Sequence, residues 1–213
     1  MNTITEKLNG TIESANPHVF EMLSDMGKKL FFPKGILSQS AEAKQKAHRI
    51  NATIGIAKES GSVMGLESIT SQINGLGPDE YLPYAPSFGK PELRDKWQQE
   101  IRRKNPSLAD KEISLPVVSC GVTHSISTFA DVWIDPGDVV LLPDMMWGNY
   151  NMTLNIRKGA DIRQYQTFNS QLSACDLDSL EKAVRRFSDS CKKIVLIFNF
   201  PHNPSGYAIT EQE

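Results

Sequence analysis

The chain has 213 residues, 39% hydrophobic and 23% charged, which is the make-up of a globular protein long enough to bury a sizeable core. A formal charge of −2 and a pI near 6.1 exclude a nucleic-acid role, because phosphate binding needs a basic excess, but they leave room for a local pocket that takes one small anion. The three cysteines, Cys120, Cys175 and Cys191, are scattered without CxxC spacing, so neither a disulfide framework nor a zinc site is expected and a reducing cytoplasm is the natural compartment. MNTITEKLNG lacks the pattern of a signal peptide, and no stretch reaches the ~20 apolar residues of a membrane span.

Residues 1–50 are polar and mixed, with PHVF and LFFPKG as apolar islands and a short helix predicted over Ser40–Ile50. NATIGIAKESG, from Asn51 to Gly61, is β-branched and glycine-containing, a short strand or an extended loop. The proline-rich YLPYAPSFGK is loop. From Pro91 the pattern turns helical, with proline in the first turn and Leu93, Trp97 and Ile101 four apart on one face. Leu115–Ser119 (LPVVS) is predicted as a strand, followed by Gly121 and a helix whose Ile126, Phe129, Ala130 and Trp133 share one stripe. Asp135–Asp138 (DPGD) is a turn and Val139–Leu142 a buried strand. Asp178 with Glu181 is predicted to cap a helix carrying Leu180, Ala183, Val184 and Phe187. Ile194–Phe200 (IVLIFNF) is a continuous apolar run, the mark of a central parallel strand. Strands alternating with helices predict an α/β fold with a mostly parallel sheet, whose ligands sit at the carboxyl ends of the strands. Thr210 and Glu213 form a capping-box pattern, so the chain stops where a helix begins and is expected to be part of a longer protein.

Four motifs fall at strand ends or in nearby loops. In Asn199-Phe-Pro-His-Asn203-Pro204-Ser205-Gly206 an asparagine at the end of a central strand can donate a hydrogen bond to a ligand oxygen without carrying charge. Taken alone, Asn-Pro-Ser-Gly is equally a plain turn. In Ser119-Cys120-Gly121-Val122-Thr123 a glycine opens a helix, whose first N–H groups and dipole suit an anion; a tight strand-to-helix turn explains the glycine as well. Trp147 lies in Pro143-Asp-Met-Met-Trp-Gly-Asn-Tyr150, either a flat surface for a ring or a core residue. Tyr84 begins Tyr84-Ala-Pro-Ser-Phe-Gly89-Lys-Pro-Glu-Leu-Arg94, a loop leading into the helix.

Taken in this order, the segments resemble the class I/II aminotransferases that use pyridoxal 5′-phosphate, the aspartate-aminotransferase superfamily of fold type I, from about Asn51 to the end of the chain. The resemblance rests most on N-x-P-x-N-P-[ST]-G and Y-x-x-x-x-G-x-P-E-L-R. It implies a three-layer α/β/α large domain with a mostly parallel sheet, truncated here, with residues 1–50 as part of a small domain and arm and 51–213 as the first part of the cofactor-binding domain. By the same resemblance, Cys120, Gly121 and Val122 hold the cofactor phosphate and Trp147 stacks on its ring. Asn203 bonds the ring hydroxyl oxygen. Tyr84, or Tyr81 under a shifted alignment, reaches the phosphate of a neighbouring subunit in a homodimer. Ile54 and Gly55 approach the substrate beside Trp147 and Asn203. Val122 stands where many relatives have a hydroxyl or lysine, so any contact there runs through the backbone. The aspartate, tyrosine, Ser-x-x-Lys and carboxylate-binding arginine that complete the family's site have no match within these residues. No catalytic residue is therefore expected here, and the chain alone is expected to be inactive. The implied reaction moves an amino group between an aspartate-like or aromatic amino acid and a 2-oxo acid. A C–S lyase or decarboxylase on the same fold, or a non-catalytic binding or dimerisation module, are the alternatives.

Overall fold

The computed structural model describes residues 2–31, 35–53 and 56–213. In chain order they form α1 (Thr3–Ala15), α2 (Pro17–Met22), α3 (Ile36–Lys46), β1 (Lys58–Glu59), β2 (Ser62–Val63), α4 (Glu67–Thr70), α5 (Pro78–Tyr81) and α6 (Pro91–Lys104). Then come α7 (Val122–Trp133), β3 (Val139–Pro143), a π-helical turn over Asn151–Ile156, β4 (Asp161–Tyr165), α8 (Leu177–Ser188) and β5 (Ile194–Leu196). Two compact units result, one made of Met1–Pro33 with Gly121–Glu213, the other of Lys34–Cys120. No helix among the described residues is long and apolar enough to cross a membrane.

In the Lys34–Cys120 unit, β1 and β2 pair as a short antiparallel hairpin. Helix α6 has Pro91 in its first turn and Arg102, Arg103 and Lys104 in its last, both favourable placements. Segment 115–119, expected as a strand, pairs with no strand among the described residues. Arg94, Gln98 and Arg102, each four residues apart on one face of α6, donate to the carbonyls of Pro116 (2.7 Å), Ile113 (2.9 Å) and Lys111 (3.2 Å). Val118 N–H donates to Phe88 O at 3.0 Å. The helix's side chains thus supply the hydrogen bonds that a neighbouring strand would otherwise give. Trp97, read from its stripe as a core residue, is 56% exposed.

The other unit is built on a parallel sheet in the order β4-β3-β5. All five residues of β3 are buried, as a strand covered on both faces requires. Val140 and Leu142 pack against Ala130 of α7, Ile134 just after it and Leu154 of the π-helical turn, while α8 runs against all three strands. This is the α/β/α layering implied by the resemblance. Each fully buried Val or Leu here is worth about 1.5–3 kcal/mol. Trp133, at the end of α7, is 59% exposed rather than core.

Several boundaries differ from the sequence expectation; the helix expected over residues 40–50, for one, runs over Ile36–Lys46. Helix α8 is capped by Asp176, whose side chain accepts from Ser179 N–H at 2.8 Å, and Asp178 instead lies in the first turn, where its charge suits the helix dipole. Strand β5 stops at Leu196, because β3 is its one partner among the described residues and the pairing fades at Ile197, whose N–H reaches Leu141 O at 3.5 Å. Residues 197–203 then turn across the carboxyl ends of the strands.

Candidate functional site

Where β3, β4 and β5 end, the sheet opens into a cavity of about 340 Å³. Leu142 and Pro143 reach it from β3, Tyr165 from β4, and Ile197, Phe198 and Asn199 from the chain beyond β5. Its volume is at the lower end for a small-molecule site, and its apolar wall with a few polar groups is the usual make-up of one.

The turn carrying Asn203 is held by its own backbone: His202 N–H donates to Tyr207 O and Gly206 N–H to His202 O, both at 2.6 Å. Asn203 lines the cavity from this turn and keeps solvent exposure. His202 beside it is only 5% exposed, with Nδ1 2.7 Å from Ser205 Oγ and no hydrogen-bond partner on Nε2. The sequence pattern treats that position as variable and gives no sign of it.

The ends of β3 and β4 are tied together by Asp144. Its carboxylate accepts from Met145 N–H (2.9 Å), from Thr167 N–H (3.0 Å) and from the Thr167 hydroxyl. Partial burial pushes this carboxyl upward, but the three donors outweigh it and hold Asp144 below the ordinary carboxylate value. The clamp fixes the start of the loop 145–150. Met146 and Tyr150 line the cavity, and the Trp147 ring meets Tyr150 edge-on. Burial raises the hydroxyls of both Tyr150 and Tyr165. From the same loop, Asn149 Nδ2 donates to Thr123 Oγ1 at 3.0 Å, joining it to the first turn of α7.

Helix α7 begins at Gly121, which has φ +118°, a conformation glycine tolerates and other residues do not. The N-cap residue is Gly121 itself, which has no side chain to cap the helix, and a Cβ there would meet nothing within 4 Å. The Val122 side chain is 67% exposed, so its N–H is what the helix end offers.

A second hub closes the cavity's far side. Glu213 accepts from Thr210 N–H, Cys175 N–H and the Tyr207 hydroxyl, all at 2.8 Å. These bonds, the two backbone donors first, lower its carboxyl to about 2. The Thr210–Glu213 spacing signalled the local bonds; those from Cys175 and Tyr207 join residues that no sequence pattern connects.

Of the residues singled out in the sequence, Asn203 lines the cavity. Trp147 packs beside it through Tyr150, and Gly121 and Val122 are linked to the same loop through Thr123 and Asn149. Cys120 is exposed and belongs to the Lys34–Cys120 unit, as does the fully exposed Tyr84. Ile54 and Gly55 lie outside the described residues.

The family described as "Aminotransferase class I and II" matches residues 67–213. The chain is 26% identical over 194 residues to the aspartate aminotransferase of Bacillus sp. (strain YM-2), covering 91% of this chain and 47% of that protein. It is 31% identical over 134 residues to the probable aspartate/prephenate aminotransferase of Aquifex aeolicus, covering 61% and 31%. Among solved structures it is similar to an aminotransferase from Anaerococcus prevotii, with a TM-score of 0.75 at 20% identity over 90% of this chain and 47% of that one. The Thermus thermophilus aspartate aminotransferase with maleate gives 0.67 at 19% identity over 89% and 47%. The chain thus spans about half the length of the Bacillus relative and of both structures.

Proposed function

Since the chain belongs to the class I and II aminotransferases, we propose that the complete gene product transfers an amino group between an aspartate-like or aromatic amino acid and a 2-oxo acid, with pyridoxal 5′-phosphate as cofactor. The observation that carries this reading is the placement of Asn203 on a cavity at the carboxyl ends of three parallel strands, where an α/β sheet binds its ligand. The residues present fit the cofactor: a neutral amide at the cavity and a helix start at Gly121 with open space where a side chain would stand. When bound, pyridoxal phosphate supplies the electron sink for the transfer.

In this reading Asn203 donates its amide to the ring oxygen and holds it as an anion. The Val122 N–H and the α7 dipole face the phosphate, with Gly121 letting it approach and Cys120 leading into the turn. Trp147 covers one face of the ring, and Trp147 and Asn203 border the amino-acid substrate, with Ile54 and Gly55 assigned to it by resemblance. Tyr84 is available to the phosphate of a second copy in a homodimer, a role its full exposure allows. Lys192 and Lys193 are poorly placed to serve as the cofactor lysine: both precede β5, and Lys193 Nζ pairs with Asp138 at 2.7 Å. The 213 residues by themselves are proposed to be inactive.

A screen of amino donors and 2-oxo-acid acceptors, run on the complete gene product with pyridoxal phosphate, tests the reaction. The expected result is transfer from an acidic or aromatic amino acid. If cofactor binds but no pair exchanges an amino group, the transaminase reading is wrong, and release of a thiol or of carbon dioxide would identify a lyase or decarboxylase instead.

A further inference from the structure

The loop that carries Trp147 and the helix start that carries Val122 are joined by a side-chain bond, Asn149 Nδ2 to Thr123 Oγ1 at 3.0 Å. Asn149 stands just beyond Trp147 and Gly148, and Thr123 directly after Val122. Asn149 is also held through its carbonyl, which accepts from the Thr153 hydroxyl at 2.7 Å in the π-helical turn. Around it, Tyr150 N–H donates to Trp147 O at 3.1 Å and Asn151 N–H to Gly148 O at 3.2 Å, so residues 147–151 turn as one tight segment. A movement of Asn149 therefore carries Trp147 with it, and the bond sets where the tryptophan ring stands relative to the start of α7. Thr123 is exposed and Asn149 only partly buried, so water competes for the bond and it adds little to the stability of the fold. Its consequence is geometric, because a misplacement of about 1 Å in a site is enough to impair it.

We propose that Asn149 is a positioning residue, whose bond to Thr123 aligns the ring of Trp147 with the anion-facing start of α7 so that one molecule meets both. The proposal rests on the cofactor reading above and deepens it. Asn149 does not line the cavity, so it acts through the residues it places. A ligand with a flat ring and an anionic tail makes both contacts at once only where they are held at the spacing of its own ring and tail. With the bond broken, the loop must be ordered on binding, and affinity falls. A ligand without the anionic tail is indifferent to that alignment.

The test uses the complete gene product with pyridoxal 5′-phosphate as probe and, for comparison, pyridoxal, which lacks the phosphate. Dissociation constants are measured by equilibrium dialysis, and the urea midpoint is taken on the cofactor-free protein. Asn149→Ala and Thr123→Val each remove the bond, and each should weaken pyridoxal 5′-phosphate roughly three- to ten-fold while pyridoxal stays within about two-fold of wild type. The urea midpoints should not move. The double variant should bind no more weakly than the weaker single variant, because the same bond is lost once. Thr123→Ser, which keeps the hydroxyl, should bind like wild type. Unchanged affinity in Asn149→Ala overturns the proposal. So do additive losses in the double variant, an equal loss for pyridoxal, or a midpoint that falls while affinity does not. Should Asn149→Ala not fold, Thr123→Val against Thr123→Ser decides, and equal affinities overturn the proposal. A wild type that binds no pyridoxal 5′-phosphate overturns the cofactor reading itself, whereas a wild type that binds it with the variants matching overturns only the role of Asn149.

Discussion

The rings of Trp147 and Tyr150 meet edge-on, with centroids 5.8 Å apart and planes at 86°. Tyr150 is 6% exposed and lines the cavity, so Trp147 is braced by a residue that is itself part of the site. Trp147→Ala removes this contact and part of the packing on the core, about 2–3 kcal/mol together, while Trp147→Phe keeps most of it. Denaturation midpoints and cofactor retention after gel filtration should both fall in the Ala variant. If only the midpoint falls, Trp147 is a core residue and does not cover a ligand ring.

Two glycines separate backbone strain from crowding. Gly121 has φ +118° with open space where a Cβ would go, whereas at Gly89, with φ +96°, a Cβ would lie 2.3 Å from Val118 Cγ2 and 2.5 Å from its Cβ. Gly121→Ala should lose only the strain of a left-handed residue, on the order of 1–3 kcal/mol. Gly89→Ala adds a collision with a β-branched side chain that has no free end to move aside. Urea denaturation should rank Gly89→Ala as the less stable variant; the reverse order would contradict the geometry.

Asp144 predicts an acid sensitivity at the strand ends. Its carboxyl is held below the ordinary value, so the stability it contributes is fully present above the ordinary range, near pH 3.9, and is lost as pH falls through its folded value. Asp144→Ala leaves the buried Thr167 without its acceptor, at a cost of about 1–3 kcal/mol near neutral pH. Melting temperature followed downward from pH 6 should drop more steeply in wild type than in the variant. Parallel curves would remove Asp144 from the clamp.

What the sequence made legible follows from which forces act locally. The apolar run Val139–Leu142 and the stripe on α7 are burial signals, and burial is what fixes those elements. Asp161–Tyr165 escaped notice because its residues stay partly exposed on an edge strand, so charged and polar side chains interrupt the expected alternation. Segment 115–119 has strand propensity, yet the rival donors Arg94, Gln98 and Arg102 are spaced for a helix and their effect on a distant chain is invisible in a local window. The site divides in the same way. Asn203 and Gly121 stand in recognisable turns, whereas the bond between Asn149 and Thr123 joins segments far apart in the chain.

Glu213 gives the last prediction. Its carboxyl is lowered to about 2 by Thr210 and Cys175 N–H and by the Tyr207 hydroxyl. A depressed carboxyl contributes stability that is complete above the unfolded value, near pH 4.3, and disappears as pH falls toward 2. Tyr207 shifts the opposite way: its bond to Glu213 raises its hydroxyl, so its contribution is complete below about pH 10 and is lost above it. Segment 207–213 should therefore be held against Cys175 between those limits. Glu213→Gln leaves one acceptor oxygen and no charge, and the Tyr207 hydroxyl should move down toward ordinary tyrosine. Absorbance titration of the five tyrosines should then show one ionising earlier than in wild type. An unchanged titration would mean that the Tyr207–Glu213 bond does not hold in solution.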